Sequence, residues 1–468
     1  MLFNSLPFLI FAALFFALWP LVRTRNTSRW CYLVTASFFF YGWWDWRYLG
    51  LIVVSGLIDF LVALAIGRRE TGGRGWLIVS LIGNLGILFI FKYHGFFVDV
   101  VNDFAVLAGN ATQLSSLNLV LPVGISFFTF QSMSYTIDVY RRRLVPTTNF
   151  LHFMSYLALF PQLVAGPIVR ARDLLPALES WRVPTAFERW GNFRMIAIGF
   201  FKKMVVADNL APLVDHAFHG GVNPEGAWMY WWVIAVMFSA QIYCDFSGYT
   251  DIARGLGGMM GYDFPENFNH PYVAVGFRDF WSRWHISLST WFRDYVYIPL
   301  GGSKTSRMQG HINMWITILL SGVWHGSGWN FIFWGALHAT YLSIERIVAW
   351  PKLLMGSMVT RLLGIAITFT LTTIAWIPFR AESLQQTVVV FRTMFTPTVN
   401  GLTDLRNQLG LEDLTPLGLL LILEVSQLVS ARIRRGMIPT FEPIMVAILI
   451  VLTVLFRGPG KQFVYFQF

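Results

Sequence analysis

Apolar runs long enough to cross a bilayer recur from one end of the chain to the other. The first, Ser5 to Val22, has no Lys or Arg before it and is followed by Arg23, Arg25 and Arg29. A cleavable leader carries its positive charge in front and a small-residue cleavage site behind. Here the order is reversed, so the run predicts a retained helix, its N-terminus outside and its basic end in the cytoplasm. Trp30 to Ile66 is long enough for two crossings and is broken at 42–47, where Trp43, Trp44 and Trp46 suit an interfacial belt. Arg68, Arg69 and Arg74 follow. Gly75 to Phe91 then leads out, and Leu119 to Tyr140 leads back to Arg141, Arg142 and Arg143. All three basic clusters thus fall on one side. Further spans are expected at 151–168, 190–206, 227–246, 312–326, 329–347, 362–379, 414–430 and 441–456. A span needs about 20 apolar residues, which gives roughly eleven or twelve helices. Shorter runs read as re-entrant or interfacial pieces, tolerated where protein or a watery cavity covers their backbone, and Gly166-Pro167 suggests a broken helix entering a polar zone. No internal repeat, inverted or direct, is visible.

Composition agrees with this pattern. Of 468 residues, 55% are hydrophobic and 13% charged, against about 25% charged in ordinary soluble chains. That excludes an ordinary soluble enzyme, a disulfide scaffold and a disordered chain. The net charge is +10. It reads as cytoplasmic loop charge rather than a nucleic-acid surface, because the basic residues gather between apolar runs. Cys31 and Cys244 form no CxxC and no thiolate metal set. His216 and His219 make an H-x-x-H, and two histidines rarely make a metal site by themselves. No metal is expected. Nucleophile-elbow, Walker A, zincin and dinucleotide-binding signatures are all absent.

Ionisable residues inside membrane segments are costly and mark sites by default. They concentrate in 241–340. From Phe277 to Tyr297, aromatic residues interleave with Arg278, Asp279, Arg283, His285, Arg293 and Asp294 at near-helical spacing. This predicts an amphipathic helix at, or dipping into, the cytoplasmic interface. It either anchors by Trp and Arg alone or turns His285 toward a buried polar cavity. His325 sits in an apolar run with Gly322, Gly326 and Gly328 around it. It is either a core histidine held by one backbone carbonyl or a base near a closely approaching ligand. His338, thirteen residues on (338 − 325), reads as structural or as support for the site.

At these residues the chain resembles the membrane-bound O-acyltransferase (MBOAT) family, in its bacterial polysaccharide-acetylating branch. The resemblance is carried by LPVGISFFTFQSMSYTIDVYR (121–141), FPQLVAGPIVR (160–170), FSGYTDIARGLGGMMGYDFPENFNHPY (246–272), FRDFWSRWHISLSTWFRDYVYIPLGG (277–302), SGVWHGSGWNFIFWGALHA (321–339) and the C-terminal YFQF (465–468). Ala339 stands where the family pattern carries glycine. The resemblance implies an all-α polytopic membrane protein. Its helices would form a ring around a central tunnel, as one domain over 1–468, with core motifs in 118–345, N-terminal helices in 1–117 and C-terminal helices in 346–468. It implies acetyl transfer from cytoplasmic acetyl-CoA toward an extracytoplasmic acceptor, for O-acetylation of an alginate-like exopolysaccharide. The W-H-G histidine of the family matches His325, and the second recurrent polar position matches His285. Arg278, Arg283 and Arg293 would contact the phosphates of coenzyme A or, alternatively, lipid headgroups.

The resemblance further implies a multi-pass protein of the bacterial inner membrane with an extracytoplasmic partner. That partner would be of the SGNH-hydrolase-like kind and would complete transfer to the polysaccharide, since no stretch here reads as an extracytoplasmic catalytic domain. Two alternatives remain at this point. One is a D-alanyl transferase acting on teichoic acid. The other is a non-catalytic subunit of a polysaccharide export complex.

Overall fold

The computed structural model describes residues 1–109, 113–117, 119–220, 227–433, 442–461 and 463–464, and every regular element among them is helical. The chain divides into two compact units. One comprises Met1–Phe193 with Ala253–Pro265, the other Arg194–Ile252 with Glu266–Phe468.

In the first unit the expected first helix is Leu6–Val22, opened by the Ser5 hydroxyl, which accepts from the Phe8 N–H. The break at 42–47 separates Asn26–Asp45 from Leu49–Gly67. There the Asp45 carboxylate accepts from the Arg47 backbone N–H and pairs with its guanidinium at 2.5 Å. The run predicted to end at Phe91 goes further. Arg74–Leu88 passes through a wide turn, Phe89–Tyr93, into His94–Leu107. The helix stops only before Gly109, whose φ is +78°. The return helix starts later than expected, at Ile125. Pro122 keeps the residue before it out of helical space. Gly124 adopts φ +77°, and a Cβ there would lie 2.6 Å from the Leu163 carbonyl.

The span expected at 151–168 does not form. Phe150–Leu157 and Phe160–Leu163 are short, and no helix follows until Ala171. Gly166-Pro167 interrupts the ladder, and the Gly166 α-carbon packs so tightly that a Cβ would sit 2.4 Å from Gln162 Cα. Residues 157–171 are buried throughout, which is the condition irregular backbone needs at membrane depth. In the same unit Asp59 is fully buried, taking hydrogen bonds from Ser80 at 2.5 Å, Asn84 at 2.8 Å and Ser132.

The expected spans at 190–206 and 227–246 are parts of longer helices, which belong to the second unit over Arg194–Ile252. Ala186–Phe201 continues through a wide turn, Lys202–Ala207, into Asp208–Phe218. Trp228–Met260 runs 33 residues and absorbs the FSGYTDIARGLGGMM motif. The backbones of these helices touch where Gly199 faces Gly248. A Cβ on either would come within 2.6 or 2.7 Å of the other's carbonyl oxygen, the small-residue contact that membrane helices use. The amphipathic helix expected over 277–297 is instead broken into Phe277–Arg283, Ile286–Phe292 and a wide turn Arg293–Tyr297. The remaining spans appear as Arg307–His325, Trp329–Val348, Met358–Arg380, Thr415–Ile433 and Glu442–Leu455. The YFQF motif lies outside the described residues.

Asn26–Gly67, Arg74–Leu107 and Met358–Arg380 are long and apolar enough to cross a membrane on composition alone. Large apolar side chains stand exposed along several helices, among them Leu6, Leu14, Ile82, Leu421, Ile422 and Val454. In water such faces would be a liability, whereas in a bilayer they are the solvent-facing surface. Other helices carry internal polar groups because those groups pair inside the protein. Lys203 is buried and reaches Asp208 at 2.8 Å and Asp245 at 2.7 Å. Lys202 reaches Asp251 at 2.9 Å.

Removing one partner of a buried ion pair costs about 3–5 kcal/mol, because the other charge stays behind. Lys203→Met therefore lowers the thermal midpoint of the detergent-purified protein. Adding Asp208→Asn and Asp245→Asn recovers part of the loss. An unchanged midpoint in the single variant would show that these carboxylates do not depend on Lys203.

Candidate active site

The two sequence-predicted histidines come together in the second unit. The imidazole centroids of His285 and His325 lie 6.4 Å apart, and both side chains are buried.

His285 is set by the break that replaces the expected long helix. Its backbone takes φ +43° and ψ +54°, the left-handed region, just before Ile286–Phe292. Such a conformation costs of order 1–3 kcal/mol for a non-glycine residue and persists only when its surroundings enforce it. Here the irregular stretch 267–269 does so. The Asn269 N–H donates to the Arg283 carbonyl at 3.0 Å, and the Ile286 N–H donates to the Asn267 carbonyl at 3.0 Å. The buried Asn267 side chain accepts from both the N–H and the hydroxyl of Ser287, at 3.1 and 2.8 Å. The ring of His285 then lies 4.6 Å from Phe246, edge to face, and 6.3 Å from Phe268, stacked.

His325 is the last residue of Arg307–His325, and the next helix, Trp329–Val348, returns against it. The two pack backbone to backbone. A Cβ on Gly322 would lie 2.5 Å from the Phe331 carbonyl, and one on Gly335 3.1 Å from the Ile318 carbonyl. This closeness brings Trp334 against His325, beside Trp324 of the same helix and Phe379 of Met358–Arg380. Trp324 lies at 4.9 Å, Trp334 at 5.0 Å and Phe379 at 5.2 Å, all edge to face. Trp334 has His338 on its other side at 4.8 Å. His338 is fully buried and also meets Trp281 at 5.1 Å and Phe280 at 6.1 Å, the latter stacked. It thus packs against Trp334 within the same aromatic layer.

The three arginines lie on the segments flanking His285. Arg278 is exposed, and its backbone N–H donates to Glu345 at 3.3 Å. Arg283 pairs with Asp279 at 2.7 Å, and Arg293 with Asp294 at 2.8 Å. An incoming phosphate would share these guanidinium groups with the carboxylates. No group of three or more His, Cys, Asp or Glu is placed to hold a metal ion among the described residues.

A polar cavity of about 480 Å³ opens beside the loop that follows His325. It is lined by His219, Ser327, Asn330, Phe331, Arg380 and Glu382. Arg380 donates to Asp215 at 2.8 Å and to His219 Nε2 at 3.3 Å, while His219 Nδ1 faces Glu382. His219 therefore belongs to this ion-pair cluster. The Phe331 ring packs on Gly326 so closely that a Cβ there would lie 2.1 Å from it. It stands between the cavity and the residue next to His325.

The MBOAT family model, membrane-bound O-acyltransferase, matches residues 110–350, which include both histidines and all three arginines. The chain belongs to the membrane-bound O-acyltransferase family. It is 40% identical over 405 residues to "Probable alginate O-acetylase AlgI" of Azotobacter vinelandii, covering 85% of this chain and 78% of that protein. It is 35% identical over 433 residues to "Peptidoglycan O-acetyltransferase" of Helicobacter pylori, covering 84% of this chain and 80% of that one. A "Teichoic acid D-alanyltransferase" of Bacillus subtilis is 31% identical over 274 residues, 54% of this chain and 67% of its own length. This MBOAT protein is therefore an all-α, membrane-embedded O-acyltransferase, and a non-catalytic export subunit is set aside.

Sequence reading did not foresee the aromatic shell of Trp334, Phe379 and Phe246 around the MBOAT histidines, nor the group Tyr243–Glu424–His270, joined at 2.8 and 2.5 Å. The small residues at 322 and 335 were the available signal for the first. The second joins positions 154 apart, and nothing local announces it.

The geometry makes the Gly322 contact a direct test of positioning. Gly322→Ala forces the two helices apart at the end that holds His325. Misplacing a reacting group by an ångström costs about 10²-fold in rate, so acyl transfer falls by that order while the protein still purifies folded. Gly418→Ala, whose added Cβ meets nothing within 4 Å, leaves the rate unchanged. Equal rates in both variants would mean that the close contact does not position His325.

Proposed function

We propose that this protein moves an acetyl group from acetyl-CoA, bound from the cytoplasmic side, to a hydroxyl presented on the extracytoplasmic side, for O-acetylation of an exopolysaccharide. The observation that carries this reading is the buried His285–His325 pair in a chain whose relatives include named O-acetylases. The pair's spacing leaves room between the rings for the acceptor hydroxyl, within about 3 Å of a His325 nitrogen, and the thioester carbonyl oxygen, within about 3 Å of a His285 nitrogen. His325 takes the proton of the acceptor hydroxyl as its oxygen attacks the thioester carbonyl. A C–O bond forms, the C–S bond breaks, and the proton passes to the departing sulfur. His285 donates to the developing oxyanion or orients the thioester, in surroundings where such a contact is worth more than in water.

In this reading Arg278, Arg283 and Arg293 receive the phosphates of coenzyme A. The acceptor approaches through the cavity beside Ser327 and Gly328, where Asn330, His219 and Arg380 offer hydrogen bonds and Phe331 separates it from Gly326. A separate extracytoplasmic protein of the SGNH-hydrolase-like kind then carries the acetyl group to the polymer. The protein itself resides in the bacterial inner membrane. Transfer of D-alanine to teichoic acid is the second reading, favoured by the likeness to the Bacillus subtilis protein.

A deletion strain rescued with His325→Ala lacks the acetyl esters that the native chain restores, at equal membrane levels of the two proteins. General-base assistance is worth about 10²–10⁴-fold, so the ester content drops to background. Restoration by both chains would remove His325 from the mechanism. A response of D-alanine esters instead of acetyl esters would select the second reading.

A further inference from the structure

A base that takes a proton becomes a cation, and His325 must carry that charge inside a buried aromatic layer. Trp324, Trp334 and Phe379 stand edge to face with it at 4.9, 5.0 and 5.2 Å. Trp334 is the most firmly held of the three. It is fully buried, with His338 at 4.8 Å, Phe379 at 5.4 Å, Trp281 at 5.8 Å and Trp376 at 6.1 Å around it. A ring so enclosed cannot turn away when the imidazole changes charge. Indole carries the strongest ring quadrupole among the natural side chains, and its attraction for a cation grows when water is excluded.

We propose that the aromatic shell of His325, with Trp334 as its principal member, stabilises the imidazolium formed while the acceptor proton resides on His325. Trp334 is then a positioning residue whose electron density matters as well as its shape, and His338 is the brace that holds it. The proton comes from the acceptor hydroxyl and leaves on the thiol sulfur, so the charge on His325 is transient and the shell acts only between those two events. This assignment rests on His325 being the base.

The test replaces Trp334 by indoles bearing increasing numbers of fluorine atoms, introduced at that one codon in the full-length membrane protein. Fluorine drains the ring face with little change in size. Acetyl transfer from acetyl-CoA is followed as release of free thiol, and each variant's thermal midpoint is recorded. The transfer rate falls stepwise with each fluorine, to roughly one tenth at the most substituted ring, the size expected of a desolvated cation–π contact. The same series at Trp376, also fully buried and 6.1 Å from Trp334, gives a flat response. A flat response at Trp334 overturns the proposal, as does an equal decline at Trp376. Failure of the underlying reading is seen separately: the unfluorinated protein would then not consume acetyl-CoA, or His325→Ala would keep its rate.

Discussion

The site depends on one close approach, the contact of the helices Arg307–His325 and Trp329–Val348 through Gly322 and Gly335. In hydrocarbon there is no hydrophobic force between helices, so association relies on van der Waals contact and backbone proximity. The two glycines allow that proximity, with the Phe331 and Ile318 carbonyls where side chains would otherwise be. The consequence is chemical as well as mechanical. Only at this separation do Trp334 and His338, on the returning helix, reach the layer of His325 at the end of the outgoing one.

The other half of the pair is held by a different device. His285 sits at a chain break whose left-handed backbone is unfavourable by itself and is fixed by Asn267 and Asn269. A continuous amphipathic helix would have carried His285 round the helix axis with its neighbours. Breaking it frees that one ring to face Phe246 and His325. The histidines are thus positioned by two independent constraints, a glycine contact and a hydrogen-bonded bracket.

Much of this was legible beforehand, for identifiable reasons. The helices were, because twenty apolar residues between basic clusters have few other uses in a protein. The break at 42–47 was, because three tryptophans mark an interface. The histidines were, because polar side chains stand out against an apolar background. What escaped were features set by tertiary contacts rather than by the periodicity of the run itself. Periodicity over 277–297 suggested a single helix, since the asparagines that break it lie at 267 and 269 and act through main-chain hydrogen bonds. At 151–168 the extent of the interruption escaped: Gly166-Pro167 announces a broken helix, but the tight packing before it also outweighs hydropathy, and no helix forms between Leu163 and Ala171. The ion pair of Lys203 with Asp245 could not be read either, since Asp245 is 42 residues away (245 − 203) on another helix.

The buried polar groups divide by how their charge is handled. The Lys203 ammonium is held between the carboxylates of Asp208 and Asp245 at fixed distances. Such a cluster is rigid because each member would be stranded without the others. A catalytic base in the same medium has the opposite requirement. It must be neutral at rest, accept a proton and lose it again, and a permanent counter-charge held as tightly as these would favour the protonated state throughout. Polarisable rings offer an intermediate solution: they favour a cation when one forms and add no full charge when it is gone. The aromatic residues that crowd His325, and are so frequent along 277–297 and 321–341, suit a membrane enzyme whose central charge exists only during turnover.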